Sequence, residues 1–116
     1  MPRLVFLAAA RREIAEIAAY IERESGSRSV ADGFVDKVTG YCEHLAELPG
    51  LLGRPRPELG RDYRSIAFGR YVLFMRYADE KSPRSHLYIV HIVHGSRDLD
   101  VYFAQLLGES TENPEE

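Results

Sequence analysis

The hydrophobic period of this chain changes twice, and each change marks a change of secondary structure. Residues 3–7, RLVFL, form a short apolar run that predicts a strand. From Ala8 the spacing is helical. Ile14, Ile17, Ala18 and Ile21 fall at i, i+3, i+4 and i+7, with Arg11, Arg12, Glu13 and Glu16 on the outside. The stretch ESGSRS (24–29) breaks this helix, and Ser27 or Ser29 can cap the next one. In that second helix Val30, Phe34, Val38, Tyr41, Cys42 and Leu45 share a face until Pro49-Gly50 ends it. Two amphipathic helices with so short a break between them predict an antiparallel hairpin whose apolar faces need a common partner.

That partner follows a Pro/Gly/Arg-rich connection, PGLLGRPRPELGRD (49–62). The pattern becomes β in YRSIAF (63–68), turns at Gly69-Arg70, and continues in YVLFMRY (71–77). A loop, ADEKSPRS, leads into HLYIVHIVHG (86–95). These three strands predict an antiparallel meander covered on one face by the helical hairpin, an α+β class. DLDVYFAQLL (98–107) reads as a short final helix capped by Asp98, with Leu99, Tyr102, Phe103 and Leu106 on one side. A single domain over 1–107 and an acidic, disordered tail over 108–116 are expected.

Composition narrows the class without changing the layout. The chain of 116 residues is 45% hydrophobic and 28% charged, ordinary for a soluble domain and too apolar for a disordered one. Its apolar runs fall short of the roughly 20 residues of a membrane span. The N-terminal MPRLVFLAAARREI continues directly into the amphipathic helix, so it reads as mature structure and not as a leader. Cys42 has no second cysteine to pair with, and its spacing with Val38 and Leu45 makes it a core residue. A cytoplasmic location fits these features.

Charge is uneven. The net of −3 includes four acids in the last eight residues, so residues 1–108 hold 15 bases against 14 acids. Within 54–76 lie Arg54, Arg56, Arg61, Arg64, Arg70 and Arg76, opposed only by Glu58 and Asp62. Arginine suits forked contacts with carboxylate or phosphate. Alternation places Arg64 with Ile66 and Phe68, and Arg76 with Val72 and Phe74. Taken singly such arginines are solvated or paired on the surface. Gathered with Arg97 they would form a basic concavity for an acidic peptide or a phosphate backbone.

IVHIVHGSRD (89–98) carries the candidate chemistry. His91 and His94 are three apart and point to opposite faces of a strand, so they cannot chelate one ion. His86 and His94 share a face but stand roughly 26 Å apart along the strand. No metal site and no cofactor are expected. His91 falls with Ile89 and Val93, as a histidine in or beside the core with its ring hydrogen-bonded. His94 ends the strand before Gly95, where Arg97 and Tyr102 can join it in one patch. A polar strand end with Asp98 as helix cap explains the same residues, and spacing alone leaves both open.

The stretch LPGLLGRPRPELGRDYRSIAFGRYVLFMRY, followed by LYIVHIVHGSRD, resembles the ParE branch of the RelE/ParE toxins of bacterial type II toxin–antitoxin modules. The resemblance covers nearly all of 3–103, and its YR…GRY and HGSRD elements are its more specific parts. It implies a small cytoplasmic toxin that inhibits DNA gyrase, blocks replication, and does no chemistry itself. It also implies neutralisation by a cognate, ParD-like antitoxin in a hetero-oligomer. The functional surface then comprises Arg64, Arg70, Arg76, His94, Arg97 and Tyr102 as partner-binding residues. The ribosome-dependent endoribonucleases of the RelE branch are the alternative, with Arg97, Tyr102 and His94 as catalytic residues. Against that alternative, the chain has only Lys37 and Lys81, and Ile66, Ala67 and Phe68 fill the first meander strand. An acidic chain also suits a ribosomal RNA site poorly. A third reading is a toxin-fold protein that serves only as a binding partner.

Overall fold

The computed structural model describes residues 3–78 and 86–96. Its elements are β1 (Arg3–Phe6), α1 (Ala8–Ser25), α2 (Arg28–Glu47), β2 (Arg54–Pro55), β3 (Tyr63–Phe68), β4 (Tyr71–Ala78) and β5 (His86–His94). Gly26 stops α1 in a left-handed conformation at φ 70°, its N–H returning to the Glu22 carbonyl at 2.8 Å. Of the two candidate caps for α2, Ser27 is the one used: its hydroxyl accepts from the Val30 N–H at 3.2 Å. The last residue of α2, Glu47, is followed by Leu48 in extended conformation, as a residue before proline requires.

The five strands form one sheet in the order β1-β5-β4-β3-β2. The meander β3-β4-β5 is antiparallel as its pattern predicts. The sheet as a whole is mixed, because β1 lies parallel to β5, pairing Arg3 with His86 and Phe6 with Ile89. The two-residue strand β2 pairs Arg54 with Ser65 and Pro55 with Arg64, and extends a sheet that the hydrophobic pattern ends at β3. Pro55 offers no N–H for a further strand, which suits an edge position.

One face of the sheet meets the helices. Leu73, Met75 and Tyr77 of β4 and Leu87, Ile89 and Ile92 of β5 pack against Ala10 and Ile14 of α1 and Val38, Cys42, Leu45 and Ala46 of α2. Each large apolar side chain removed from water there contributes on the order of 1.5–3 kcal/mol before its lost freedom is counted. At one end the packing is aromatic. Phe34 of α2 lies 6.4 Å from Phe68 and 5.4 Å from Tyr71 between ring centroids, and Tyr41 lies 5.1 Å from Phe68.

A bulge decides which face several functional side chains occupy. Phe74 is opposite His91 but Met75 is opposite Ile89, so Val90 is the extra residue in β5. Simple alternation would put His91 on the same face as Ile89. Past the bulge the faces exchange: Ile92 joins Ile89 in the core, and His91 shares with Phe74 the face turned away from α1 and α2. The expected C-terminal helix (98–107) and acidic tail (108–116) lie outside the described residues. No helix among the described residues is long and apolar enough to cross a membrane.

Candidate functional site

The turn between β3 and β4 and the end of β5 meet at one corner of the sheet. Gly69, at φ 58°, makes the turn, and the Gly95 N–H donates to the Arg70 carbonyl at 2.8 Å. A side chain at 95 would stand 3.2 Å from that same carbonyl, so the close approach favours glycine. This clamp brings Arg70 and His94 together, although they are far apart in sequence. Tyr71 is directly opposite His94, and the two rings meet edge-on at 5.5 Å.

The side of α1 faces this corner across an open groove of about 520 Å³. Glu13, Glu16, Ile17 and Tyr20 form the helical wall, and Arg70, Tyr71, Ile92, Val93, His94 and Ser96 the sheet wall. Tyr20 is 54% exposed despite its size. Among the described residues the Arg70 side chain has neither a hydrogen bond nor an ion pair. The residue is exposed.

Two hydrogen-bond systems shape the groove. At His94 the Ser96 N–H donates to Nδ1 at 3.1 Å, with the Ser96 hydroxyl 2.7 Å from the same nitrogen. A backbone N–H can only donate, so Nδ1 is the acceptor and the neutral ring carries its proton on Nε2. The ring thus closes the strand-end turn and keeps one donor for a ligand. At the groove's inner edge the Glu13 carboxylate lies 3.0 Å from His91 Nδ1 and accepts from the Ile92 N–H at 2.9 Å. The Glu13 side chain is only 12% exposed and that of His91 16%. Glu13 therefore faces inward at the sheet edge, not outward on the helix surface as its place in the helical period suggests. Only the hydrogen-bonding need of His91 hinted at such a partner.

Of the six residues expected at the functional surface, the four that are described are dispersed. Arg70 and His94 share the groove. Arg64 lies on the helix side of the sheet and is engaged locally, its Nε donating to the Leu52 carbonyl at 2.8 Å and its Nη2 to that of Gly53 at 2.9 Å. Arg76 lies on the opposite face, its guanidinium carbon 5.7 Å from the centre of the Tyr88 ring. Arg64, Arg70 and Arg76 therefore do not gather into one basic concavity. Arg97 and Tyr102 lie outside the described residues. Among the described residues no three His, Cys, Asp or Glu side chains converge as a metal would need. The groove instead presents donors (a guanidinium, an imidazole N–H and the phenols of Tyr20 and Tyr71) beside two carboxylates and apolar Ile17, a surface for holding another chain.

No curated relative matches the sequence. The family model for the ParE toxin of the type II toxin–antitoxin system, parDE, matches residues 4–99. That match runs from β1 through the whole sheet and past the groove-forming turn, and covers most of the chain. The chain belongs to the ParE toxins of type II toxin–antitoxin systems.

Proposed function

We propose that this toxin inhibits DNA gyrase and so blocks replication, and that a ParD-like antitoxin holds it inactive in the cytoplasm. The match to the ParE family over residues 4–99 carries this reading. The groove between α1 and the Arg70–His94 corner supports it, because it offers donors that are unengaged among the described residues and an exposed Tyr20 on its helical wall. Such a surface captures a partner segment through charge-assisted hydrogen bonds and an aromatic anchor. Arg70 and His94 are assigned to this contact, with Arg97 and Tyr102 following directly in the chain. The test is gyrase-catalysed supercoiling of relaxed plasmid in the presence of the purified chain. Inhibition by the parent protein, reduced at least tenfold in Arg70→Ala/His94→Ala of unchanged stability, supports the proposal. Undiminished supercoiling at a large excess of toxin sinks it.

A further inference from the structure

The opposite face of the sheet, away from the helices and the groove, carries a second organised surface. Tyr63 on β3, Arg76 on β4 and Tyr88 on β5 are cross-strand neighbours in one row, and Arg3 on β1 stands opposite His86. The His86 and Tyr88 rings are stacked, 5.7 Å between centroids and 7° from parallel. Arg76 lies over Tyr88 at 5.7 Å. Among the described residues its guanidinium has no ion-pair partner. Arg54 is on the same face, opposite Ser65, and Arg56 lies 5.6 Å over Phe74, with Glu58 3.4 Å away as a partial counter-charge.

Charge is divided between the layers. Residues 8–47, the helical hairpin, carry a net −3, while residues 48–78 carry a net +4. No described strand residue on the face turned away from α1 and α2 is Asp or Glu. The modest overall charge of the protein therefore hides a cationic, ring-bearing face.

We propose that this face, turned away from α1 and α2, binds single-stranded DNA, with bases stacking on Tyr88 and His86 and phosphates held by Arg76, Arg3 and Arg54. A row of guanidinium groups alone would suit any polyanion. Parallel rings beside a guanidinium with no ion pair among the described residues favour a ligand that alternates flat bases with phosphates. An acidic peptide would use the charges and leave the rings idle, and a duplex would hide its base faces. Among the described strand residues of this face none is Asp or Glu, and the Ser65 hydroxyl already accepts from Arg56 Nε at 2.8 Å, so the strands offer no carboxylate to a ribose 2′-hydroxyl, which fits a deoxy strand. This surface is separate from the groove, and its ligand does not depend on gyrase being the target.

Fluorescence anisotropy with a labelled oligothymidylate of about fifteen nucleotides tests the proposal on the full chain at about 50 and 200 mM salt. Binding should weaken with salt. Tyr88→Leu should lower affinity about fivefold or more while Tyr88→Phe stays within about twofold, because the ring face and not the hydroxyl carries the stacking. Arg76→Gln should reduce the salt slope by about 0.7. Should Tyr88→Leu fail to fold, His86→Ala and Arg76→Gln carry the same comparison. Absence of salt-dependent binding overturns the proposal, as does affinity unchanged by these substitutions. Equal or tighter binding of a polyglutamate peptide, or of oligouridylate, overturns it too, assigning the face to an acidic chain or to RNA.

Discussion

Glu13 takes the place of a neighbouring strand beside Ile92. β1 ends at Phe6, opposite Ile89, and beyond it the Ile92 N–H would face outward with no ladder partner. The carboxylate of Glu13, arriving from the second turn of α1, accepts that N–H at 2.9 Å and holds His91 at the same time. One side chain thus ties α1 to the sheet and seals the inner edge of the groove.

Glu13→Ala should cost about 1–3 kcal/mol, since it leaves a buried N–H without its acceptor and His91 without its carboxylate. Glu13→Gln keeps an oxygen for the Ile92 N–H and should lose less. Chemical denaturation measures the difference, and hydrogen exchange at the Ile92 amide localises it. Equal stability of the parent and Glu13→Ala contradicts the role.

The two arginines Arg64 and Arg70 should behave in opposite ways. Arg64 anchors the 52–53 segment through two carbonyls, and the Tyr77 hydroxyl receives the Leu52 N–H at 3.3 Å in the same place. Arg64→Ala should therefore destabilise by about 1–3 kcal/mol. Arg70→Ala, on an exposed turn, should change stability by less than about 0.5 kcal/mol and yet weaken inhibition. Thermal melts beside a supercoiling assay separate the two. A stable but inactive Arg64→Ala would reverse the assignment.

Gly53→Ala should be among the most damaging single-methyl additions. Its φ of 86° is unfavourable for other residues, and an added Cβ would meet the Ser65 carbonyl oxygen at 2.6 Å and Met75 Cε at 2.8 Å. A loss of about 2 kcal/mol or more in denaturant melts is expected. Gly40→Ala, with open space around the position in a helix, should be neutral or stabilising.

Cys42 should be chemically silent in the folded protein. Burial, helped by Glu43, raises its thiol from 9.0 to about 12. The protonated form is the buried one, so this contribution to stability is complete below pH 9 and falls away as pH rises toward 12. A thiol reagent at pH 8 should label the native chain far more slowly than the chain in denaturant. Comparable rates would contradict the packing.

The helices, their break and the meander were legible in the chain because each is set by local spacing and by glycine, proline or serine at its ends. Alternation also grouped Arg64 with Ile66 and Phe68, and Arg76 with Val72 and Phe74, and the strand register agrees, but it did not show that the two groups lie on opposite faces. It could not show the partner of β1, whose pairing with β5 is far removed in sequence, nor the Val90 bulge, which moves His91 away from Ile89. Arg70 and His94 could be suspected because they flank turns. Glu13 could not, since its contact with His91 spans 78 positions and its helical spacing points outward.

The most direct test of the central claim is pulse-labelling of DNA and protein synthesis within minutes of inducing the chain alone in bacteria. If the toxin acts on gyrase, DNA synthesis falls first while translation continues, and Arg70→Ala/His94→Ala delays the fall. Translation stopping first, with DNA synthesis following, would contradict it.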